Sequence, residues 1–155
     1  MDIRVVWQQP ISLIDGDGQG MIYALGPGAI PDRPGVYVFA RQHGETVSPL
    51  YIGQALNLAK RVPQQLNNVR LMLGIQNAPT GERILLVGEV ALRRGQRSRR
   101  VLEVVENALI ERALGNEYEL LNKQGTRTPV HAISFEGNRA SRHVSPLRMN
   151  VRQGA

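Results

Sequence analysis

Two tyrosines, one arginine and a pair of glutamates are the residues of this chain whose types and spacing suggest chemistry. Tyr37 closes the run Gly35-Val36-Tyr37 and Tyr51 opens Tyr51-Ile52-Gly53, so each tyrosine has a glycine two positions away. Arg61 follows, and Glu103 and Glu106 lie one helical turn apart further along. Tyrosine is a poor base at neutral pH because its hydroxyl ordinarily titrates near ~10, but a neighbouring metal or cation favours the phenolate and lets it accept a proton. A guanidinium suits a phosphate better than an ammonium does, because its fork of N–H donors matches two oxygens together.

The elements that must position these groups can be read from local pattern. Gly35 to Ala40 and Pro49 to Ile52 are short apolar runs of aromatic and β-branched residues around a polar segment holding Gly44, Ser48 and Pro49, which predicts a β-hairpin. Asn57 then stands as the cap of a helix carrying Arg61. Pro63 interrupts it, so either that helix is very short or a second one starts at Pro63 and runs to about Leu73. Arg83 to Val90 reads as a buried third strand. A helix from Ser98 to Leu114 follows, with Val101, Leu102, Val105, Ala108 and Leu109 facing the core and Gly115 as its C-terminal cap. Tyr118 to Leu121 is expected to form a brief strand ending at Asn122.

Taken together, Gly35-Val36-Tyr37, Tyr51-Ile52-Gly53 and Asn57-Leu58-Ala59-Lys60-Arg61-Val62 resemble the paired signature of the GIY-YIG nuclease superfamily. The continuation after Gly53 resembles the incision domain of the bacterial excision-repair nuclease. A lone GVY or YIG carries nothing; their order and the following arginine carry the resemblance, which covers Gly35 to Asn122. It implies that Tyr37 and Tyr51 line the site with one of them activating water, and that Arg61 holds the scissile phosphate. It also implies that Glu106, in Val105-Glu106-Asn107-Ala108-Leu109-Ile110, binds a divalent metal (Mg2+ or Mn2+), and that Asn122 helps order the site. Glu103 is the rival metal ligand. The chain departs from the family's pattern in having thirteen residues between the tyrosines, in Gln54 where a lysine is common, in Gln65 where a histidine or tyrosine is common, and in Pro63.

Composition sets the frame. The chain has 155 residues, a single domain's length, with no cysteine for a disulfide or thiolate metal site. No apolar run approaches the roughly 18 residues of a membrane span, and no secretory signal opens the sequence, so a cytoplasmic protein is expected. The net charge is +6, unevenly spread. Up to Leu92, seven basic residues balance seven acidic ones; Arg93, Arg94, Arg97, Arg99 and Arg100 then fall within eight residues. Val101 to Asn122 is acidic, and from Lys123 onward six cations face only Glu136. Positive charge on either side of an acidic helix fits contacts to a nucleic-acid backbone around a metal-binding carboxylate; a solvated arginine-rich loop is the plain alternative.

The flanks say less. Ile3–Trp7 and Met21–Leu25 are expected as strands joined by the turn Asp15 to Gly20, whose aspartates imitate a calcium loop but lack the closing glutamate, Gly26 standing there instead. Val130 to Phe135 is expected as a further strand, and the last dozen residues as flexible. His43, His131 and His143 lack metal-ligand spacing and are expected at the surface. Tyr23 and Tyr118 are expected to be structural.

The expected fold is thus an α/β domain of the α+β type. It has a three-stranded antiparallel core sheet flanked by helices, with an N-terminal extension (1–34), the core (35–122) and a basic C-terminal extension (123–155). The expected function is that of a metal-dependent endonuclease hydrolysing DNA, with the five arginines on the backbone and a homodimer as one way to cut both strands. A catalytically inactive nucleic-acid-binding module of the same fold is the alternative.

Overall fold

The computed structural model describes residues 2–16, 20–122, 130–144 and 146–152. The Asp17-Gly18-Gln19 tip of the first turn and the beginning of the basic segment at Lys123 lie outside the described residues.

The fold is α+β. Strands β4 (Gly35–His43) and β5 (Thr46–Ala55) form an antiparallel hairpin, and β6 (Glu82–Ala91) pairs antiparallel with the other side of β4. Successive residues of β4 point to opposite faces. Tyr37 and Phe39 pack toward α1 (Leu58–Leu66) and α2 (Val69–Gln76), while Val36, Val38 and Ala40 pack toward α3 (Ser98–Gly115). With helices on both faces, the strand reads as a continuous apolar run.

The sheet is wider than the three strands expected. Both β1 (Arg4–Trp7) and β2 (Ile11–Asp15) pair along the outer side of β6, and β3 (Tyr23–Leu25) pairs with β2, making six strands among the described residues. The glycine-rich turn joins β2 to β3, not β1 to β3. Strand β2 is hard to see because it is short and follows Pro10, yet Ile11 and Leu13 alternate inward as a sheet requires.

Helix α1 is capped as expected, the Asn57 side-chain oxygen accepting the Lys60 N–H at 3.1 Å. It neither stops nor restarts at Pro63. A proline inside a helix costs about 3 kcal/mol, but Leu58, Val62 and Leu66 recur every four residues with 0, 0 and 6 % exposure. Burying three such side chains is worth roughly 1.5–3 kcal/mol each, which outweighs the missing bond. The break comes after Asn67, and Asn68 caps α2 by accepting the Leu71 N–H at 3.1 Å. Beyond α2, the buried Arg83 guanidinium donates to the carbonyls of Ile75, Gln76, Ala78, Pro79 and Gly81, pinning the α2–β6 connection.

Helix α3 buries Val101, Leu102 and Val105, but Ala108 is exposed; Ile110 and Ala113 continue the core stripe. Gly115 is not its cap. Glu117 takes the left-handed turn at φ 65, with the Tyr118 and Glu117 N–H groups bonded back to the Ala113 and Leu114 carbonyls. Tyr118 to Leu121 is not a strand; only the Leu121 N–H reaches the β5 edge, at the Leu50 carbonyl, 2.7 Å away. Strand β7 (Val130–Ser134) forms where expected, but it pairs with β8 (Arg148–Arg152), inside the stretch expected to be flexible. Among the described residues no helix is long and apolar enough to cross a membrane.

Candidate active site

Strand β5 is the free edge of the core sheet, and the site runs along that edge between α1 on one face and α3 on the other. A cleft of about 260 Å³ is lined there by Tyr37, Tyr51, Arg61, Glu103, Glu106 and Asn122, together with Ile52 and Gly53 of β5. The five residues singled out from the sequence, drawn from two strands, two helices and a loop, therefore meet in one cavity. Gln54 and Asn107 also line it.

The two tyrosines share one face of the hairpin, their rings stacked with centroids 6.3 Å apart. Gly53 lies directly opposite Tyr37. A Cβ there would sit 2.4 Å from both the Tyr37 hydroxyl oxygen and Cζ, so the glycine exists to let the Tyr37 ring cross the strand. Gly35 is equally constrained, since a Cβ would fall 2.2 Å from the Gly88 carbonyl oxygen.

Gln65 is the residue sequence reasoning undervalued. It is only 4 % exposed, and its amide donates to the Tyr37 hydroxyl at 2.7 Å and, more weakly, to the Tyr51 hydroxyl at 3.4 Å. It cannot transfer protons as a histidine would, but it fixes both hydroxyl oxygens. Its place four residues after Arg61, one turn along the same helix, was the available signal.

Tyr37 is almost wholly buried, whereas Tyr51 is half-buried and opens to the cleft. Burial, and then the Tyr37 hydroxyl, push the Tyr51 phenol above its ordinary range; the Gln65 hydrogen bond and the Arg61 charge pull it back, and Glu106 adds a further upward push. Arg61 is exposed and donates to Gln64 at 3.3 Å. Among the described residues no carboxylate pairs with it, so its charge is available to a ligand. On the opposite wall, Glu106 is raised above the usual carboxylate range, first by burial and then by Glu103.

Asn122 is 8 % exposed and acts as a substitute strand residue. Its oxygen accepts the Ile52 N–H at 2.9 Å and its amide donates to the Ile52 carbonyl at 2.6 Å. The residue between Tyr51 and Gly53 is thereby held from the open side of the sheet.

The arginines divide. Arg97, Arg99 and Arg100, at the start of α3, line a neighbouring cleft that shares Glu103 with the first. Arg93 instead lies 3.9 Å from Asp2, both exposed, and neither it nor Arg94 lines either cleft. His43 and His143 are exposed, as expected; the side chain of His131 lies outside the described residues.

The donors facing the cleft suit a hard divalent cation. Among the described residues no three carboxylate, imidazole or thiolate side chains form a cage. A magnesium-type site needs only one or two carboxylates, with water and substrate phosphate completing it. Glu106, with Glu103 beside it, supplies that, and a cation would offset both causes that raise Glu106.

Comparison of the chain with protein-family models, with curated proteins and with solved structures returned no significant match.

Proposed function

We propose that the chain is a GIY-YIG-type, metal-dependent endonuclease that hydrolyses phosphodiester bonds in DNA. The observation carrying this reading is the meeting of Tyr37, Tyr51, Arg61, Glu106 and Asn122 in one polar cleft, when the sequence motifs alone had selected them.

Arg61 binds the scissile phosphate and offsets the negative charge that grows on it in the transition state. Tyr51, the more open tyrosine, takes the proton of the attacking water as its phenolate, a form that the Arg61 charge favours and a bound divalent ion would favour further, against the upward push of burial. Tyr37 stays buried and holds the Tyr51 ring by stacking. Gln65 keeps the two hydroxyl oxygens in place through its amide. Glu106 would hold the divalent ion, which when bound supplies charge neutralisation and an acidified water. Asn122 fixes the β5 backbone beneath them, and Arg97, Arg99 and Arg100 bind the flanking backbone without reading sequence.

Supercoiled plasmid incubated with magnesium or manganese tests this, wild type beside Glu106→Ala. Nicking or linearisation by wild type, abolished by the substitution and by chelator, is the expected result. Cleavage that survives Glu106→Ala would move the metal to Glu103. No cleavage at any metal concentration, with binding that weakens steeply in salt, would refute hydrolysis and leave a binding module of this fold.

A further inference from the structure

The cleft beside the active site is built differently from a surface that only holds a backbone. It has a volume of about 630 Å³ and is lined by Leu56, Arg97, Ser98, Arg99, Arg100 and Glu103. Glu103 is common to both clefts, so the two adjoin. Among the described residues none of the three guanidiniums has a carboxylate within ion-pair distance.

Leu56 is the telling residue. It follows β5 immediately, between the buried Ala55 and the cap Asn57, and is 47 % exposed, taking no part in the core clusters. One exposed leucine on a surface is ordinary. Here it shares a cleft with three arginines, next to the cleft that Arg61 lines. A backbone phosphate has no use for an apolar side chain, whereas a nucleobase face does, and planar guanidiniums take either a phosphate or a base face. A continuous duplex keeps its bases stacked inside and would offer Leu56 only sugar and phosphate.

Resting on the nuclease reading, we infer that this cleft is a nucleotide subsite that accepts an unpaired nucleotide next to the scissile phosphate, its base against Leu56 and its phosphate on Arg97, Arg99 and Arg100.

The test measures binding in chelator with the Glu106→Ala protein, so that it does not depend on cleavage. Three probes are compared: a short single strand, the same strand with abasic sites at its centre, and the strand annealed to its complement. The expected order is the intact single strand bound about fivefold more tightly than the abasic one, the effect of covering half a leucine side chain. Adding Leu56→Ala brings that ratio close to one; Leu56→Tyr, with a larger face, raises it. Replacing Arg97 and Arg100 by alanine weakens all three probes and flattens the salt dependence. Equal affinity for intact and abasic strands, or a preference unmoved by Leu56→Ala, overturns the subsite. A protein that never cuts plasmid but keeps a Leu56-dependent base preference retains the subsite and loses the nuclease reading. One that cuts but shows no base preference does the reverse.

Discussion

Asn122→Ala separates the frame of the site from its chemistry. The substitution removes two hydrogen bonds at 2.9 and 2.6 Å and leaves both the N–H and the carbonyl of Ile52 without the partner they have on the edge side of β5. Ile52 is 2 % exposed, so water does not easily replace that partner. Each buried group left unpaired costs about 1–2 kcal/mol, giving roughly 2–4 kcal/mol in all. For a domain of this length that lowers the melting temperature by roughly 5–15 °C. Amide exchange at Ile52 reads the clamp itself, and should speed up by roughly 30-fold or more, since each ~1.4 kcal/mol is tenfold. Cleavage measured well below the melting temperature should fall by about 10- to 100-fold, as for other residues that orient a site without touching substrate. Asn122→Asp sharpens the reasoning, because it keeps an acceptor for the Ile52 N–H but sets a second oxygen against the Ile52 carbonyl. That variant should be as unstable as the alanine at neutral pH and recover partly in acid, where the protonated carboxyl can donate again. An Ile52 amide equally protected in Asn122→Ala and wild type would refute the clamp.

Gly53→Ala should lower stability by about 1–3 kcal/mol, the usual cost of overpacking, and reduce cleavage, because its Cβ displaces the Tyr37 ring held by Gln65; thermal melting and the plasmid assay read both, and a wild-type-like variant would contradict the close approach. Glu106 gives a pH prediction. Its pKa in the folded chain lies above the ordinary 4.5, through burial and then Glu103, so the folded state keeps a proton that the unfolded chain has already lost. Stability of the metal-free protein therefore falls as pH rises from about 4.5 through the raised value. Glu106→Gln should melt higher than wild type at neutral pH without metal, with the difference vanishing below that window. A lower melting temperature for Glu106→Gln at neutral pH would show that the carboxylate is not strained in its cleft.

How much of this could be read from the chain depends on whether the determining forces are local. Asn57 capping α1, the β4–β5 hairpin and the apolar stripe of α3 are set by neighbours within a few residues, and the sequence shows them. Pro63 misleads for the opposite reason. Its penalty is local and visible, but the burial of Leu58, Val62 and Leu66 that overrides it depends on the sheet beneath α1. Glu117 likewise takes the left-handed turn although Gly115 stands two residues earlier, because the chain turns where Tyr118 packs against the Ile110 and Ala113 cluster and its N–H bonds back to the Ala113 carbonyl.

The site shows the same division. Its five principal residues were legible only through a resemblance in motif and spacing; nothing in their local composition says that α1 and α3 approach the same edge strand from opposite faces. Gln65 had a local signal in its place one turn after Arg61, but not the contact that gives it a role, since the two tyrosine hydroxyls it bonds come from the sheet. Leu56 is an exposed leucine with no local signal at all. Both become meaningful only once β5 is known to be an edge. An edge strand leaves backbone groups open, and here Asn122 closes those of Ile52 with its side chain. That closure stops the edge from pairing with another strand at this point, and leaves the room beside it that a nucleic-acid strand would need.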